Sequence, residues 1–406
     1  MNIMDLQKRL CPVCNSSENE NVYIQPIGSI TGIGDIDYHH KIDQCQKCGF
    51  IFANSLLRED VILKYYEAMS NYENHGTQGA HSPSEKNNIE RQVDLICSAF
   101  PVDFKGRALD IGCSVPYGLS LLKDNGWSVL GADPSEKCVS IAKEMFDIDV
   151  IKGFFEDINI NETGKFDLII LSHVLEHLIS PSDALLHIRK LLKDNGILYI
   201  EVPNLMETNN LTGYFTFEHI NYFTTTSLRN ILMRNGYNTN NIIIFNNDDF
   251  DEISYPVIGV IASKGDFQDS IVSDKIEALN VIANYRLEIK GRLDKVNTVI
   301  SDVSLSVRPG RLAIWGGGIH TSQLLAESKL RDLSIHCIYD NDPKKHGESL
   351  SGIPIMSFPN ELSCVLDAID GILISSQASE NEIYSQLSKF EVDGLKIFRL
   401  YHLANL

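Results

Sequence analysis

Strand-like and helical stretches alternate regularly through the middle of this chain, from about Gly106 to Pro203. Short apolar runs such as "RALDI" and "SVLGAD" are followed by helical stretches such as "LSLLKDNGW" and "KCVSIAKEMF". Strands joined by helices of this size run parallel, with helices on both faces of the sheet. The last helix, "SPSDALLHIRKLLKDNG", is expected to be capped by Ser182 and to end at Gly196. The pattern therefore predicts an α/β fold with a Rossmann-like sheet.

Two further strand-like runs, "NIIIFN" and "YPVIGVIASK", follow without a good helix between them. Consecutive strands that lack a crossover helix pair most simply as neighbours in opposite directions. This part of the sequence predicts an antiparallel pair at the edge of the sheet.

Four of the nine cysteines form two tight pairs near the start of the chain, in "CPVC" and "CQKCGF": Cys11, Cys14, Cys45 and Cys48. Two Cys-x-x-Cys turns supply four thiolates that can surround one tetrahedral zinc ion, and a closed shell of four protein ligands is typical of a structural site. A short hairpin is expected between the pairs. The alternatives are a redox pair, which needs only one such turn, or disulfides, which are rare in the cytosol. His39 and His40 are spare candidate ligands that are expected to face solvent.

Composition narrows the class of protein. Hydrophobic residues make up 43% and charged residues 22% of the chain, as in ordinary globular proteins. The formal charge of −19 argues against a nucleic-acid partner, because phosphate binding needs a basic surface. The start, "MNIMDLQKRL", lacks an apolar stretch, and no run approaches the roughly 18 apolar residues of a membrane span. We therefore expect a cytoplasmic protein, monomer or homodimer, that binds a small molecule and neither nucleic acid nor membrane.

A chain of 406 residues exceeds the size of one ordinary core, so several domains are expected. The predicted divisions are a zinc-binding module (1–75), a central α/β domain (76–264), a long linking helix (265–308) and a C-terminal α/β domain (309–406). The helix is predicted from apolar residues at helical spacing: Val272, Ile276, Leu279, Ala283, Ile289, Leu293, Val296, Ile300 and Val303. In the C-terminal unit, "WGGGIH" follows one predicted strand and Asp340 follows the next. This arrangement is similar to that of a nucleotide-binding fold.

Two acids end neighbouring strands of the central domain. Asp110 is followed by Gly112 in "ALDIGCSVPYG", and Asp133 in "VLGADPS" lies 23 residues further on. A glycine turn lets a ligand approach the backbone amides at a helix start, and the second acid can accept hydrogen bonds from two ribose hydroxyls. A dinucleotide would need a tighter G-x-G-x-x-G turn. The pattern favours a ligand with a ribose and no pyrophosphate.

These motifs resemble those of the class I S-adenosylmethionine-dependent methyltransferases. The acid-x-Gly loop and the ribose acid match Asp110 to Gly112 and Asp133, while "GFFED", "FDLIILSHVLEHL" and "LKDNGILYIEVPN" are similar to later segments of the family. The departure is that Ser114 and Pro116 replace the usual loop glycines. The resemblance covers about residues 85 to 263. It implies a seven-stranded sheet, S-adenosylmethionine as cofactor, and the following contacts with it: Asp110, Gly112, Gly118, Asp133, Phe155, Glu156 and Ser172.

The order of the parts looks like that of the three-domain, zinc-containing sugar C-methyltransferases, which methylate a carbon next to the ketone of a nucleotide-linked keto-sugar. "EHINYF" and "IWGGGIHTSQLL" are similar to their motifs. Carbon methylation needs a base that removes the proton beside the carbonyl, and a donor that holds the enolate. The resemblance implies His219 as base, Glu218 beside it, and Tyr214 and His177 as further catalytic residues. The family has tyrosine three residues before the histidine, where this chain has Thr216.

Three interpretations stay open. The first is carbon methylation of a nucleotide-linked keto-sugar. The second is methyl transfer to oxygen or nitrogen of a sugar or small metabolite, which Thr216 favours. The third is a non-catalytic nucleotide-sugar binder with a decayed methyl site, for which Ser114 and Pro116 would be the signature. For His219 the structural alternative is a packed residue that closes the pocket, and for His177 it is a cap of the strand-to-helix turn. The C-terminal domain either holds the nucleotide end of the substrate or only packs.

Overall fold

The computed structural model describes residues 7–30, 34–58, 61–62, 83–208, 214–245, 256–359, 362–377, 379–404 and 406. The predicted boundary between residues 75 and 76 lies outside these ranges, and the other predicted domain boundaries stay predictions. Among the described residues, no helix is both long and apolar enough to cross a lipid bilayer.

The N-terminal module is a small β structure built around the two cysteine pairs. Its strands are β1 (Gln7–Lys8), β2 (Asn19–Ile30), β3 (Gly34–Cys45), β4 (Ile51–Ala53) and β5 (Ser55–Leu56). Strands β2 and β3 pair antiparallel, which confirms the hairpin expected between the cysteine pairs. A short strand from the central domain, Asn221–Tyr222, pairs with β4. The module therefore holds the chain just beyond His219.

The central domain contains the predicted seven-stranded sheet. Its chain-order strands are β6 (Arg107–Ile111), β7 (Ser128–Asp133), β8 (Val150–Lys152), β9 (Phe166–Ser172), β10 (Leu192–Pro203), β11 (Asn221–Tyr222, in the N-terminal sheet), β12 (Tyr237–Phe245) and β13 (Val257–Lys264). The order across the sheet is β12-β13-β10-β9-β6-β7-β8. Strands β6 to β10 run parallel, whereas β13 pairs antiparallel with both β10 and β12. This confirms the antiparallel pair at the edge.

The helices of this domain are α1 (Pro83–Ser98), α2 (Tyr117–Asp124), α3 (Glu136–Phe146), α4 (Ile160–Thr163), α5 (Pro181–Leu191) and α6 (Thr225–Arg234). The prediction that Ser182 caps α5 was wrong. Ser180 precedes the helix and Pro181 begins it, because the fixed φ of proline suits the first helical position. The Oγ of Ser182 instead donates to the Pro12 carbonyl of the N-terminal module at 3.2 Å. The helix ends before Gly196 because Leu192 already pairs with β9.

The long linking helix α7 (Lys275–Ser306) confirms the predicted helix but corrects its buried face. The second half is as predicted, with Val296, Ile300 and Val303 buried against the C-terminal domain. In the first half Val272 lies before the helix, and Val272 and Ile276 are 63% and 70% exposed. The residues buried there are Ala278, Ile282 and Tyr285, which pack in a cluster with Tyr214 and Phe215. The buried face of α7 differs between its two halves because the first half packs against Tyr214 and Phe215, whereas the second half packs against the C-terminal domain.

The C-terminal domain is a second α/β unit. Its elements are β14 (Leu312–Trp315), α8 (Ile319–Glu327), β15 (Ile335–Tyr339), β16 (Ser349–Leu350), β17 (Ile353–Met356), α9 (Leu362–Ala368), β18 (Gly371–Ile374), α10 (Glu380–Leu387), β19 (Lys396–Arg399) and α11 (Leu400–Ala404). The sheet order is β16-β17-β15-β14-β18-β19. The carboxylate of Asp340 accepts hydrogen bonds from the Gly317 amide at 2.7 Å and from Lys345 at 3.1 Å. The Asp340 carboxylate therefore binds the backbone of the glycine loop in the same domain.

The N-terminal module around the cysteine pairs and the central domain share one hydrophobic core. Cys45, Phe50 and Phe52 pack in the same cluster as Leu171 and Ile188 of the central domain. The guanidinium group of Arg9 adds polar contacts across this junction, donating to the carbonyls of residues 53 and 179 at 2.9 and 3.0 Å. The two parts are therefore expected to unfold together.

Glu327 should make the stability of the protein depend on pH. Its Oε1 accepts a hydrogen bond from Gln25 at 3.0 Å, and burial raises the pKa of its carboxyl from 4.5 to about 7. Because the folded-state pKa lies above the unfolded value, stability is lost as pH rises from about 4.5 through 7. We expect Glu327→Gln to raise the free energy of unfolding at pH 8 by about 1–3 kcal/mol, and to change it little at pH 4.5.

Urea unfolding at the two pH values measures this difference. The control is Glu382→Gln, which alters an exposed acid on α10 and should show no such contrast. An equal effect of Glu327→Gln at both pH values would contradict the assignment.

Candidate functional site

The carboxyl ends of β6, β7 and β9 meet at one edge of the sheet, as parallel strands require. Gly112 follows β6 with φ +75°, and a Cβ there would lie 2.6 Å from Cγ2 of Val174. Only glycine fits this close approach and this backbone conformation. Since Val174 follows β9, the contact places the turn after β6 directly against the turn after β9.

Asp110 and Asp133 end β6 and β7 at this edge. Asp133 is 7% exposed, and its carboxylate accepts hydrogen bonds from the amides of Ser114 at 2.8 Å and Ser135 at 2.9 Å. Burial raises the pKa of Asp133, and these two hydrogen bonds oppose the increase. Burial and the charge of Asp133 raise the pKa of Asp110 to about 8. The two carboxyl groups thus lie at the same edge of the sheet, Asp133 buried and Asp110 half-buried, where a ligand hydroxyl would be a strong partner.

The backbone conformation explains how Ser114 can replace the usual glycine in the loop after β6. Ser114 has φ +46°, a left-handed conformation that favours glycine. Its amide reaches Asp133 in this conformation. The serine therefore keeps the loop shape that a glycine would allow, and the acid-bearing edge stays intact.

The other predicted cofactor contacts lie around the same edge. Ser172 ends β9, and its Oγ accepts a hydrogen bond from Gln92 of α1 at 2.7 Å. Phe155 and Glu156 begin the short 3-10 helix after β8, with Phe155 half-buried and Glu156 exposed. Gly118 faces α1, because a Cβ there would lie 3.2 Å from Ile89. Their roles as cofactor contacts stay predictions.

His177 and His219 come together beside this edge although they lie far apart in sequence. Their ring centroids are 4.9 Å apart and the rings are nearly perpendicular at 72°. His177 ends a 3-10 turn, Leu175–His177, that follows β9. The main-chain carbonyl of Glu218 lies 2.9 Å from Nδ1 of His177, and the Ile220 amide donates to the carbonyl of residue 176 at 2.9 Å. The segment that carries His219 is thereby held on the turn that carries His177.

Glu176 is the carboxylate nearest this pair, and sequence reasoning missed it. It is 1% exposed, and Oε1 lies 3.2 Å from Nδ1 of His173. Burial alone would raise the pKa of Glu176, but the hydrogen bond with His173, together with the imidazoles around the carboxyl group, lowers it to about 2. The side chain is therefore an ionised carboxylate. Its only sequence signal was its position beside His177 in "HVLEHL".

His219 is a neutral imidazole in this setting, since burial and the neighbouring His177 lower its pKa to about 3. The predicted partner Glu218 contacts the pair through its main-chain carbonyl. Tyr214 is fully buried, and its ring packs against Phe215 and Tyr222 at centroid distances of 5.3 and 5.9 Å. The catalytic roles of these residues stay predictions.

His40 was expected to face solvent, but it is fully buried in the N-terminal module. Its Nε2 lies 2.9 Å from the Tyr222 hydroxyl, and its Nδ1 lies 3.1 Å from the Tyr38 hydroxyl. Tyr222 in turn donates to the main-chain carbonyl of His219 at 2.5 Å. Burial lowers the pKa of His40 to about 4. His40 therefore supports the segment around His219 and is separate from the cysteine cluster.

The four cysteines of the N-terminal module form a candidate metal centre. All four are buried and free of disulfides, and their sulfur atoms lie within 4.8 Å of one another. The Sγ atoms of Cys11 and Cys48 are 3.5 Å apart, and those of Cys14 and Cys45 are 3.4 Å apart. A tetrahedral zinc with Zn–S bonds of about 2.3 Å needs S–S distances of roughly 3.8 Å. The donor set and its spacing therefore fit zinc.

Comparison with known proteins agrees with this architecture. Residues 86–241 match a family model described as a methyltransferase domain, and residues 309–398 match one described as C2185-like, N-terminal. An uncharacterized methyltransferase of Staphylococcus carnosus is 36% identical over 24% of this chain and 46% of its own length. A ubiquinone biosynthesis O-methyltransferase of Roseobacter denitrificans is 30% identical over 30% of this chain and 51% of its own length. The chain thus spans about half the length of these relatives.

Among solved structures, magnesium protoporphyrin IX methyltransferase from Synechocystis with bound S-adenosylmethionine is 16% identical, with a TM-score of 0.40. The match covers 52% of this chain and 100% of the other. The family model covers the five parallel strands, β6 to β10, and the acid-bearing edge of the sheet, and it ends within β12. Residues 86–241 therefore form a class I S-adenosylmethionine-dependent methyltransferase domain.

Proposed function

We propose that this protein transfers the methyl group of S-adenosylmethionine to a carbon next to the ketone of a nucleotide-linked keto-sugar. The observation that carries this proposal is the pairing of two imidazoles, His177 and His219, beside a sheet edge lined by Asp110 and Asp133. The order of a cysteine-cluster module, a methyltransferase domain and a second α/β domain supports it further.

The crevice at the sheet edge is the proposed cofactor site. Asp133 has carboxylate lone pairs left for ribose hydroxyls, since each oxygen accepts one backbone hydrogen bond. Gly112 leaves the backbone open to close approach. When bound there, S-adenosylmethionine supplies an electrophilic methyl group. In the N-terminal module, zinc held by the four cysteines is proposed as structural, since four protein ligands leave it no open position.

His219 is the proposed base. A carbon becomes nucleophilic only when its α proton is removed, and a neutral imidazole has a lone pair to take that proton. Burial lowers the pKa of His219 and so weakens it as a base, whereas the charge of Glu176 acts in the opposite direction and would support the proton once it is taken. The proton would move from carbon to the imidazole nitrogen, and the C–H electrons would form the enolate. The enolate carbon would then bond to the methyl group as the bond from that methyl to sulfur breaks, with S-adenosylhomocysteine as the leaving group. His177 lies on the other side of the pair; its Nδ1 faces the Glu218 carbonyl, so it could stabilise the enolate oxygen only through Nε2 in the protonated ring.

Methyl transfer to oxygen or nitrogen is the second candidate. Two observations favour oxygen: Thr216 stands where the sugar C-methyltransferases have tyrosine, and several relatives are named ubiquinone biosynthesis O-methyltransferases. An oxygen nucleophile needs less assistance from a base than a carbon does.

The product distinguishes these candidates. The protein should be incubated with methyl-labelled S-adenosylmethionine and a panel of keto-sugar nucleotides, and the product examined by NMR. Carbon transfer predicts a label bonded to carbon and solvent deuterium at the α position without cofactor turnover. A label found only in an ether, ester or amine, or no label in any sugar, would exclude the keto-sugar proposal.

His219→Ala is expected to lower kcat by about 100- to 10,000-fold, the range of general-base contributions, while the Kd for S-adenosylmethionine changes little. Steady-state kinetics and calorimetric titration measure the two quantities. His336→Ala, which alters an exposed histidine in the C-terminal sheet, is the matched control. Retention of near-normal kcat by His219→Ala would assign the residue to packing.

A further inference from the structure

Three ligand-type side chains converge outside the cysteine cluster: Glu176, His177 and His219. One ligand atom from each lies within 4.8 Å of the others. Two nitrogen or oxygen ligands on opposite sides of a first-row metal ion are roughly 4.2 Å apart, from bonds of about 2.1 Å. Side-chain adjustments of a fraction of an ångström would therefore let all three share one ion.

The ring of His177 is oriented as that of a metal ligand is. Nδ1 of His177 lies 2.9 Å from the main-chain carbonyl of Glu218, which can only accept, so Nδ1 carries the proton and Nε2 carries the lone pair. Metal-binding histidines usually donate their other ring N–H to a carbonyl or carboxylate in this way. Nε2 of His177 lies 3.9 Å from Oε1 of Glu176. The backbone of His219 is held by the Tyr222 hydroxyl at its carbonyl.

A second observation comes from Glu176 itself. Its side chain is 1% exposed, and Oε2 is buried without a hydrogen-bond partner among the residues that the structure describes. A buried anionic oxygen that lacks a partner is costly, by several kcal/mol in general. The unpartnered oxygen shares its carboxylate with Oε1, which lies 3.9 Å from Nε2 of His177. A cation between the three groups would satisfy it.

We propose that Glu176, His177 and His219 bind one divalent transition-metal ion, distinct from the ion of the cysteine cluster. Two imidazoles and one carboxylate suit zinc, cobalt, manganese or iron(II), and leave coordination positions open. An acceptor oxygen could fill such a position and be polarised there. This role rests on the proposed methyl transfer and changes the part that His219 takes in it, since a lone pair given to a metal cannot take a proton.

Metal analysis of the full-length protein tests the site without an activity assay. We expect cobalt(II) to bind in two kinds of site: a thiolate site with intense sulfur-to-cobalt absorption, and a nitrogen and oxygen site with only weak visible bands. Glu176→Gln and His219→Asn should each lose the second binding event, or weaken it by about 100-fold, and keep the thiolate absorption unchanged. The retained thiolate signal also reports that the variants are folded.

His336→Ala should bind cobalt(II) as the unaltered protein does, because that histidine is exposed and lies in the C-terminal sheet. The inference is overturned if the unaltered protein binds metal only at the thiolate site, or if both site variants keep the second event. Its failure is separable from failure of the proposed function. Methyl transfer without a second metal refutes this site alone, whereas a second metal without transfer to any acceptor refutes the methyltransferase proposal alone.

Discussion

Asp133→Ala should weaken binding of S-adenosylmethionine by about 100- to 10,000-fold. In the proposed cofactor site its carboxylate accepts two charge-assisted hydrogen bonds from ribose hydroxyls, each contributing about 1.5–3 kcal/mol. Each 1.4 kcal/mol corresponds to about tenfold in Kd. The residue is buried at the end of β7, so water replaces these bonds poorly. Isothermal titration calorimetry with S-adenosylmethionine and with S-adenosylhomocysteine measures the loss.

Two comparisons separate binding from folding. Glu136→Gln alters an exposed acid three residues further on and should leave the affinity unchanged. Asp133→Asn keeps an acceptor oxygen for one of the Ser114 and Ser135 amides and turns an NH2 group toward the other, so it should show an intermediate affinity and a slightly lower unfolding temperature. If Asp133→Ala stays folded and binds the cofactor as before, the crevice between β6 and β7 is not the cofactor site.

Cys45→Ser should release the metal from the cysteine cluster and destabilise the protein by about 4 kcal/mol or more. Structural zinc contributes about 10–16 kcal/mol of apparent binding free energy in small zinc domains, and binding and folding are coupled. Loss of a metal ligand belongs to the few mechanisms that produce such large effects. Because Cys45 and Phe52 pack in one core with Leu171, the methyltransferase domain should be destabilised as well.

Thermal unfolding, zinc content and cofactor affinity should be measured on the same samples. Cys364→Ser is the control, since this cysteine is exposed and lies outside the cluster. A strong chelator should reproduce the effect of Cys45→Ser on the unaltered protein. An unchanged unfolding temperature with full loss of zinc would show that the cluster does not support the fold.

The parallel strands, the antiparallel pair at the edge and the positions of the two acids could be predicted because they follow from local sequence. Periods of apolar residues identify strands and helices, and parallel strands bring Asp110 and Asp133 to one edge in any such sheet. The cysteine cluster could be predicted equally well, since two cysteines separated by two residues can bind the same metal ion. Predictions of burial failed where burial depends on which part of the protein packs against a residue. Ile276 fits the helical period of α7 but is exposed, because the first half of that helix packs on Tyr214 and Phe215.

The sequence by itself determined the elements, the sheet edge with its paired acids, and the four-cysteine cluster, because each depends on residues that are close in the chain or on the rules of parallel sheets. Only the tertiary structure decided that Glu176 and His177 meet His219, that His40 of the N-terminal module supports that segment, and that one core joins the cysteines to the central sheet. These contacts join segments that local patterns cannot connect. Burial then lowers the pKa of His219, whereas the hydrogen bond with His173 lowers the pKa of Glu176 against the effect of burial.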